Sequence, residues 1–259
     1  MILNFPLYSN ILKRFYKKII IIILSFSNGI TADDRLYLKQ ANILESKIID
    51  NEPVNLISGN VILTKGNLTL KCENGQNFKN DELAILYDDV SAKQDEKTIT
   101  CDTLKFFSRE DKLFSIGNSH AWDNNYDLKA DSIIIFTKID SGVAVGNVVL
   151  VQKGQIINAK RIEYKEDGEK GGISYTAIGE VVIKDSSRVA TCGRAEYKRD
   201  IEKTILDIEP QLLDEHRILT GDKIILNYFE EILDKLHIPR NAYAKTPIGG
   251  YKQSSDDST

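Results

Sequence analysis

Gly146-Asn147-Val148-Val149-Leu150-Val151-Gln152-Lys153-Gly154-Gln155-Ile156-Ile157-Asn158-Ala159-Lys160-Arg161-Ile162 holds two phrases that recur along most of the chain. The first, Gly146-Asn147-Val148, returns as Gly59-Asn60-Val61, Gly117-Asn118-Ser119 and Gly179-Glu180-Val181, with degenerate copies at Asp88-Asp89-Val90 and Ile208-Glu209-Pro210. Counted from residue 59, the copies are separated by 29, 29, 29, 33 and 29 residues. The second phrase sets a small residue two places after an apolar one: Ile157-Asn158-Ala159, and likewise at Cys72, Cys101, Ala130, Cys192 and Gly221. It keeps the same spacings. Two phrases in one register mark a repeat architecture, and the unbroken register argues for one domain. The only irregularity, four extra residues, falls in the turn-rich stretch 165–172, where insertions are tolerated.

Each unit reads as two strands. Apolar side chains alternate before the Gly-Asn phrase (Phe114 and Ile116; Val143 and Val145) and after it (Val61 and Leu63; Val148 and Leu150; Val181 and Ile183). That is the period of a strand with one buried face. Around the small residue the pattern is apolar before it and again three and five places after it. Leu104 and Phe106 follow Cys101; Leu128 precedes Ala130, with Ile133 and Ile135 behind; Ile157 precedes Ala159, with Ile162 and Tyr164; Leu219 precedes Gly221, with Ile224 and Leu226. Ile85, Ile178 and Tyr197 complete the set expected to face inward. A step of three breaks the alternation, so the strand must bend or bulge there, and close backbone approach selects a small side chain. Lys93–Lys97, Asp123–Asn125 and Lys184–Ser187 carry turn chemistry between strands. Tyr228–Leu236 has an amphipathic helical reading, but the repeat aligns it with a strand, a turn and a further strand. The expected fold is all-β, with about 12–16 strands.

Chemistry is scarce. Cys72, Cys101 and Cys192 occupy the position that is Ala130, Ala159 and Gly221 elsewhere, so the site asks for small volume; no zinc or thioredoxin spacing is present. A disulfide between Cys72 and Cys101 stays open at this level. His120, His216 and His237 sit in different units, and His120 lies beside the inward alternation. An acidic residue follows the small one in four units (Glu73, Asp102, Asp131, Asp222), which reads either as polar corners or as the carboxylate ladder of a polysaccharide-degrading parallel β-helix. No catalytic triad, phosphate loop or metal-ligand cluster stands out. The residues point to a binding protein, not an enzyme, without cofactor or metal.

The 259 residues carry a net charge of −4, but residues 1–32 hold Lys13, Arg14, Lys17 and Lys18 and no acid, leaving 30 Lys+Arg against 38 Asp+Glu beyond them. A part that acidic lacks the basic footprint for nucleic acid. The basic cluster, the short apolar run Ile19–Phe26 and the small, polar segment ending at Ala32 read as an export signal. The apolar run is shorter than the ~18 residues or more of a confident spanning helix. A retained anchor is the alternative.

Gly146–Gly154 followed by Ile157–Ile162, Gly221-Asp222-Lys223-Ile224-Ile225, and Ala41–Ser46 running to Gly59-Asn60-Val61 resemble the OstA/LptA family of lipopolysaccharide transport proteins, related to LptC and the LptD N-terminal domain. The resemblance spans roughly residues 33–240. It implies a β-jellyroll of two twisted antiparallel sheets meeting in a V, with a groove for lipid A acyl chains lined by the inward residues above. It also implies a periplasmic location in a Gram-negative bacterium. Copies would join head to tail, and LptC-like and LptD-like jellyrolls would pair through edge strands. The expected organisation is residues 1–32 as signal peptide, 33–240 as six repeats of the β domain, and 241–259 as a polar, disordered tail. An LptC-like, membrane-anchored subunit is the alternative role. N-terminal sequencing of the exported protein is expected to begin near Asp33; a chain still carrying Lys13–Lys18 identifies the anchored form.

Overall fold

The computed structural model describes residues 35–245 except 81, 167–172, 215–216 and 231. The export segment, most of the inserted loop and residues 246–259 lie outside the described residues. Tyr37–Gln40 (β1) and Ile43–Ile49 (β2) both pair with Glu52–Lys65 (β3), β1 along its second part and β2 along its first. The chain then zigzags through Leu68–Phe78 (β4), Leu83–Gln94 (β5), Lys97–Phe107 (β6), Lys112–Trp122 (β7), Tyr126–Phe136 (β8), Ser141–Gln152 (β9), Gln155–Glu166 (β10), Ile173–Lys184 (β11) and Arg188–Lys198 (β12). Each pairs with the one before it. Lys203–Asp207 (β13) and Gln211–Asp214 (β14) share β12. Arg217–Thr220 (β15) and Lys223–Phe229 (β16) continue from β14 and β13, and Tyr243–Lys245 (β18) and Ile232–His237 (β17) continue from those.

The strands form one 18-stranded sheet, and every pairing among the described strands is antiparallel. That overturns the parallel β-helix reading of the acidic ladder. The count exceeds the expected 12–16 because four rows (β1 with β2, β13 with β14, β15 with β16, β17 with β18) are interrupted where the others merely bend. The sheet also runs to Lys245, past the expected domain end at 240, because β18 adds to β15.

The bend has a single backbone cause. Two successive residues take left-handed conformations at Gly59-Asn60 (φ 78° and 50°), Gly117-Asn118 (76° and 46°) and Gly146-Asn147 (78° and 46°), and the same holds at 88–89, 179–180 and 208–209. Glycine and the short polar residues tolerate this region, which explains the recurring phrase. The register shifts at the same places, for example between Ile116 and Ser119 against β8. Ile208, a β-branched residue at φ 62°, is the strained copy. Gly193 faces it: a Cβ there would lie 2.7 Å from Ile208 Cγ2, and its N–H donates to the Ile208 carbonyl at 2.7 Å.

The acidic residues of the second phrase brace these bends. Asn118 Nδ2 donates to Asp102 (3.0 Å), Asn147 Nδ2 to Asp131 (3.1 Å) and Asn241 Nδ2 to Asp222 (2.9 Å). Where Lys160 replaces the acid, Glu180 replaces the asparagine, and the pair persists with reversed polarity at 2.5 Å.

Bending folds the sheet into two layers. One carries Val61, Leu70, Ile99, Leu128, Leu150 and Ile157 on its inner face, the other Leu86, Leu104, Phe106, Ile133, Ile162 and Leu206, and all join one core. Six residues expected inside lie on the outer face: Ile85, Phe114, Ile116, Val143, Val145 and Ile178. Residues directly opposite in neighbouring strands share a face. Leu104 stands opposite Leu86 and Ser115, which places Ile85 and Phe114 with Lys105 outside. Ile133 and Ile162 stand opposite Ala144, which turns Val143 and Val145 outward, and Ala177 does the same for Ile178. The step of three belongs to the small-residue strand alone. On the Gly-Asn strand the inward residues Ala144 and Val148 are four apart, and that difference of one residue is the bulge.

Cys72, Cys101 and Cys192 are buried free thiols. Cys72 on β4 and Cys101 on β6 are separated by β5, roughly 9.5 Å at the usual strand spacing, which is beyond disulfide reach.

A Cβ at Gly146 would lie 2.2 Å from Asp131 Oδ2 and 2.9 Å from Asp131 Cβ, whereas Gly154, also left-handed, meets nothing within 4 Å. Gly146→Ala is expected to cost about 1–3 kcal/mol more than Gly154→Ala in urea denaturation. In an Asp131→Gly background, which removes the Cβ as well as the carboxylate, that excess is expected to shrink.

Candidate functional site

The interior between the layers is the largest apolar feature among the described residues. Val61, Leu63, Leu104, Phe106, Leu128, Ile133, Val148 and Leu150 are buried in it, as are Ile157, Ile162, Tyr164, Val181, Ile183, Tyr197, Ile224 and Leu226. Ile135 and Leu219 are half-buried against it. The geometry brings together eighteen of the residues expected there and leaves the six outer-face residues apart. These side chains form a closed, packed core, not an open groove.

Closure is made where the hairpin rims of the two layers meet, opposite the bend. Lys65 ends the inward series Val61, Leu63, Lys65; its Nζ donates to the Ser108 carbonyl (2.5 Å) and to Asp111 (2.6 Å) in the β6–β7 turn of the other layer. Lys97 bridges Asp140 (2.7 Å) and Glu166 (2.5 Å). The Tyr126 hydroxyl donates to Glu166 at 3.2 Å. Gln152 hydrogen-bonds both backbone groups of Ile173, donating to its carbonyl (2.9 Å) and accepting from its N–H (2.6 Å). Contacts from four side chains, two of them meeting at Glu166, thus form a seam along otherwise apolar edges. Their signal in the sequence was a polar residue standing in inward phase at a strand end, as Lys65 does after Leu63 and Gln152 after Leu150. Which turn each would meet across the fold was not readable.

Burial shapes the electrostatics of the seam. It pushes the Glu166 carboxyl up, and the ion pair with Lys97 offsets only part of this. It pulls the Lys97 ammonium down, but Asp140 and Glu166 outweigh it and hold Lys97 above its ordinary value. Burial also acts upward on Asp111, yet Lys138 and Lys65 hold that carboxyl below the usual range. The three cysteine thiols are pushed up to about 11, chiefly by burial, so they stay protonated at neutral pH.

A cavity of about 40 Å³ lies under the Lys97 contact, lined by Ile99, Leu113, Ala121, Ile135 and Tyr126. A wider polar recess of about 850 Å³ lies outside the bend at Asp88, Asp89, Asp102 and Asn118. Among the described residues no group of three or more His, Cys, Asp or Glu side chains is placed to hold a metal ion. No helix among them is long and apolar enough to cross a membrane. His120 lies on the outer side, with Nε2 2.8 Å from Asp127 and its ring stacked on Trp122.

Residues 127–232 match the family described as LptA/(LptD N-terminal domain) LPS transport protein. Over these residues the chain is similar to the LptA/LptD N-terminal domain family. The match runs from β8 to β17, and the same repeat continues upstream of it to β3. Among solved structures the chain aligns with LptH, the LptA-homologous periplasmic component of the lipopolysaccharide transport device of Pseudomonas aeruginosa. That alignment has 20% identity and a TM-score of 0.37, covering 42% of this chain and 80% of that one. No curated protein matches. The family is one of transport proteins, not of enzymes.

Asp111 links charge to stability. Because its carboxyl is held below the unfolded value, its contribution is present above the unfolded pKa of ~3.9 and is lost as pH falls through the folded value. Asp111→Asn is expected to cost about 3 kcal/mol at neutral pH, since it removes a buried carboxylate that pairs with both Lys65 and Lys138. It should also flatten the acid limb of the stability profile, measured by urea denaturation from pH 7 to pH 2.

Proposed function

We propose that the chain is a periplasmic lipopolysaccharide carrier of a Gram-negative bacterium, and that the interior between its layers takes up lipid A acyl chains when the seam parts. The observation that carries this reading is an apolar interior continuous from one end of the sheet to the other, closed along its rims by discrete polar contacts instead of continuous hydrophobic packing. The family match supports the transport role. Each buried methylene contributes about 0.8 kcal/mol, so a chain of about twelve carbons gains on the order of 10 kcal/mol before ordering costs. No reacting group is called for.

The same reading assigns the two ends of the sheet to assembly. β2 is exposed along its whole length, with Ile43, Leu44 and Ile48 in solvent, and at the other end β17 and β18 expose Ile232 and Tyr243. Strand addition at these edges would join copies head to tail and connect LptC-like and LptD-like jellyroll domains, bridging inner- and outer-membrane complexes. Residues 1–32 would serve as the export signal, with the anchored, LptC-like role as the alternative.

Photo-crosslinking tests the interior. Probes replacing Leu104, Ile133 and Ile162 are expected to capture lipopolysaccharide, and probes at the outward Lys105 and Ser132 are not. Equal capture on both faces defeats the carrier reading.

A further inference from the structure

One inner row is unlike the rest of the core. Reading across neighbouring strands it runs Ile135, Gly142, Tyr164, Tyr175 and Tyr197, each directly opposite the next. Ile135 also lines the cavity under Lys97 and Glu166, so the row begins at the seam. The Tyr175 and Tyr197 rings are 5.5 Å apart. Gly142 makes room for its neighbour, since a Cβ there would lie 2.5 Å from both Cζ and the hydroxyl of Tyr164. Tyr164 is 5% and Tyr175 3% exposed, yet neither hydroxyl has a hydrogen-bond partner.

Two unpartnered phenols side by side in an apolar interior are costly, because a buried donor left unsatisfied forfeits its hydration. Phenylalanine would fill the same space without that cost. The neighbouring rim solves the same problem differently, with the Tyr126 hydroxyl donating to Glu166. Burial pushes both the Tyr164 and Tyr175 phenols upward, so they are available as neutral donors and not as phenolates.

We propose that the Tyr164 and Tyr175 hydroxyls form a binding subsite for the ester and amide carbonyl oxygens at the roots of a multiply acylated lipid. The tails lie deeper between the layers and the anionic head stays outside the seam near Lys97. The proposal rests on the carrier reading and adds to it the part of the ligand that is recognised. It explains why hydroxyls stand at the inner edge of the seam, where a chain passing from interior to solvent must place its carbonyl groups.

The test uses purified hexa-acylated lipopolysaccharide and, as a ligand with an alkyl chain but no carbonyl, dodecyl maltoside. Both are titrated against the full chain and its Tyr164→Phe, Tyr175→Phe and double variants. Each single substitution is expected to weaken lipopolysaccharide binding roughly three- to tenfold, to leave dodecyl maltoside binding unchanged, and to leave the ligand-free protein at least as stable to urea as the parent. Unchanged lipopolysaccharide affinity in the double variant, or equal weakening for both ligands, overturns the subsite while leaving the carrier reading in place. A parent chain that binds no lipopolysaccharide overturns both.

Discussion

The pair of left-handed residues in the middle of every other strand is the constraint on which the rest of this protein depends. A flat sheet of this breadth would expose one of its faces, and its inward side chains would have nothing to pack against. The left-handed pair folds each strand over, so one continuous hydrogen-bonded sheet becomes its own partner layer. The small residue of the neighbouring strand and the acid after it follow from the bend, the first because the backbones crowd there, the second because the turned asparagine needs an acceptor. The Lys160–Glu180 pair keeps that brace while exchanging the polarity of both members.

The rims opposite the bend obey a different rule. Apolar packing holds the layers together in depth, but at the edge Lys65, Lys97, Tyr126 and Gln152 reach across to turns far away in sequence. Such contacts are local and directional, and each can be exchanged for water or for a polar ligand group at modest net cost, unlike a stripped apolar surface. In the carrier reading proposed above, this division would let a deep interior favour hydrocarbon while the polar seam parts to admit and release it. The unpaired phenols behind that seam belong to the same economy of polar groups.

Much of the fold was legible in the chain because a 29-residue period recorded a geometric necessity. The two-strand unit, the bend and the small-residue position all came from spacing. The inward side of the small-residue strand was also legible: Leu104, Phe106, Ile133 and Ile162 lie where their alternation puts them. The Gly-Asn strand misled. Phe114, Ile116, Val143 and Val145 are as apolar as core residues, and the alternation before the glycine fits either phase. Of the true core residues there, Ser115, Gly142 and Ala144 are small or polar and gave little hydrophobic signal, and only Leu113 is large and apolar.

The split between chain and fold follows from range. Whatever depended on a residue and its near neighbours was written in the amino-acid order: the left-handed turns, the bulge, the strand period and the family likeness all rest on local sterics repeated at a fixed interval. Three features needed partners brought from elsewhere. The face of the Gly-Asn strands was set by the residues opposite them, closure of the interior by side chains meeting turns some 20 to 70 residues away, and the isolation of the Tyr164 and Tyr175 hydroxyls by everything packed around them. A side chain's solvation is a property of its surroundings in space, and these surroundings exist only once the sheet has folded onto itself.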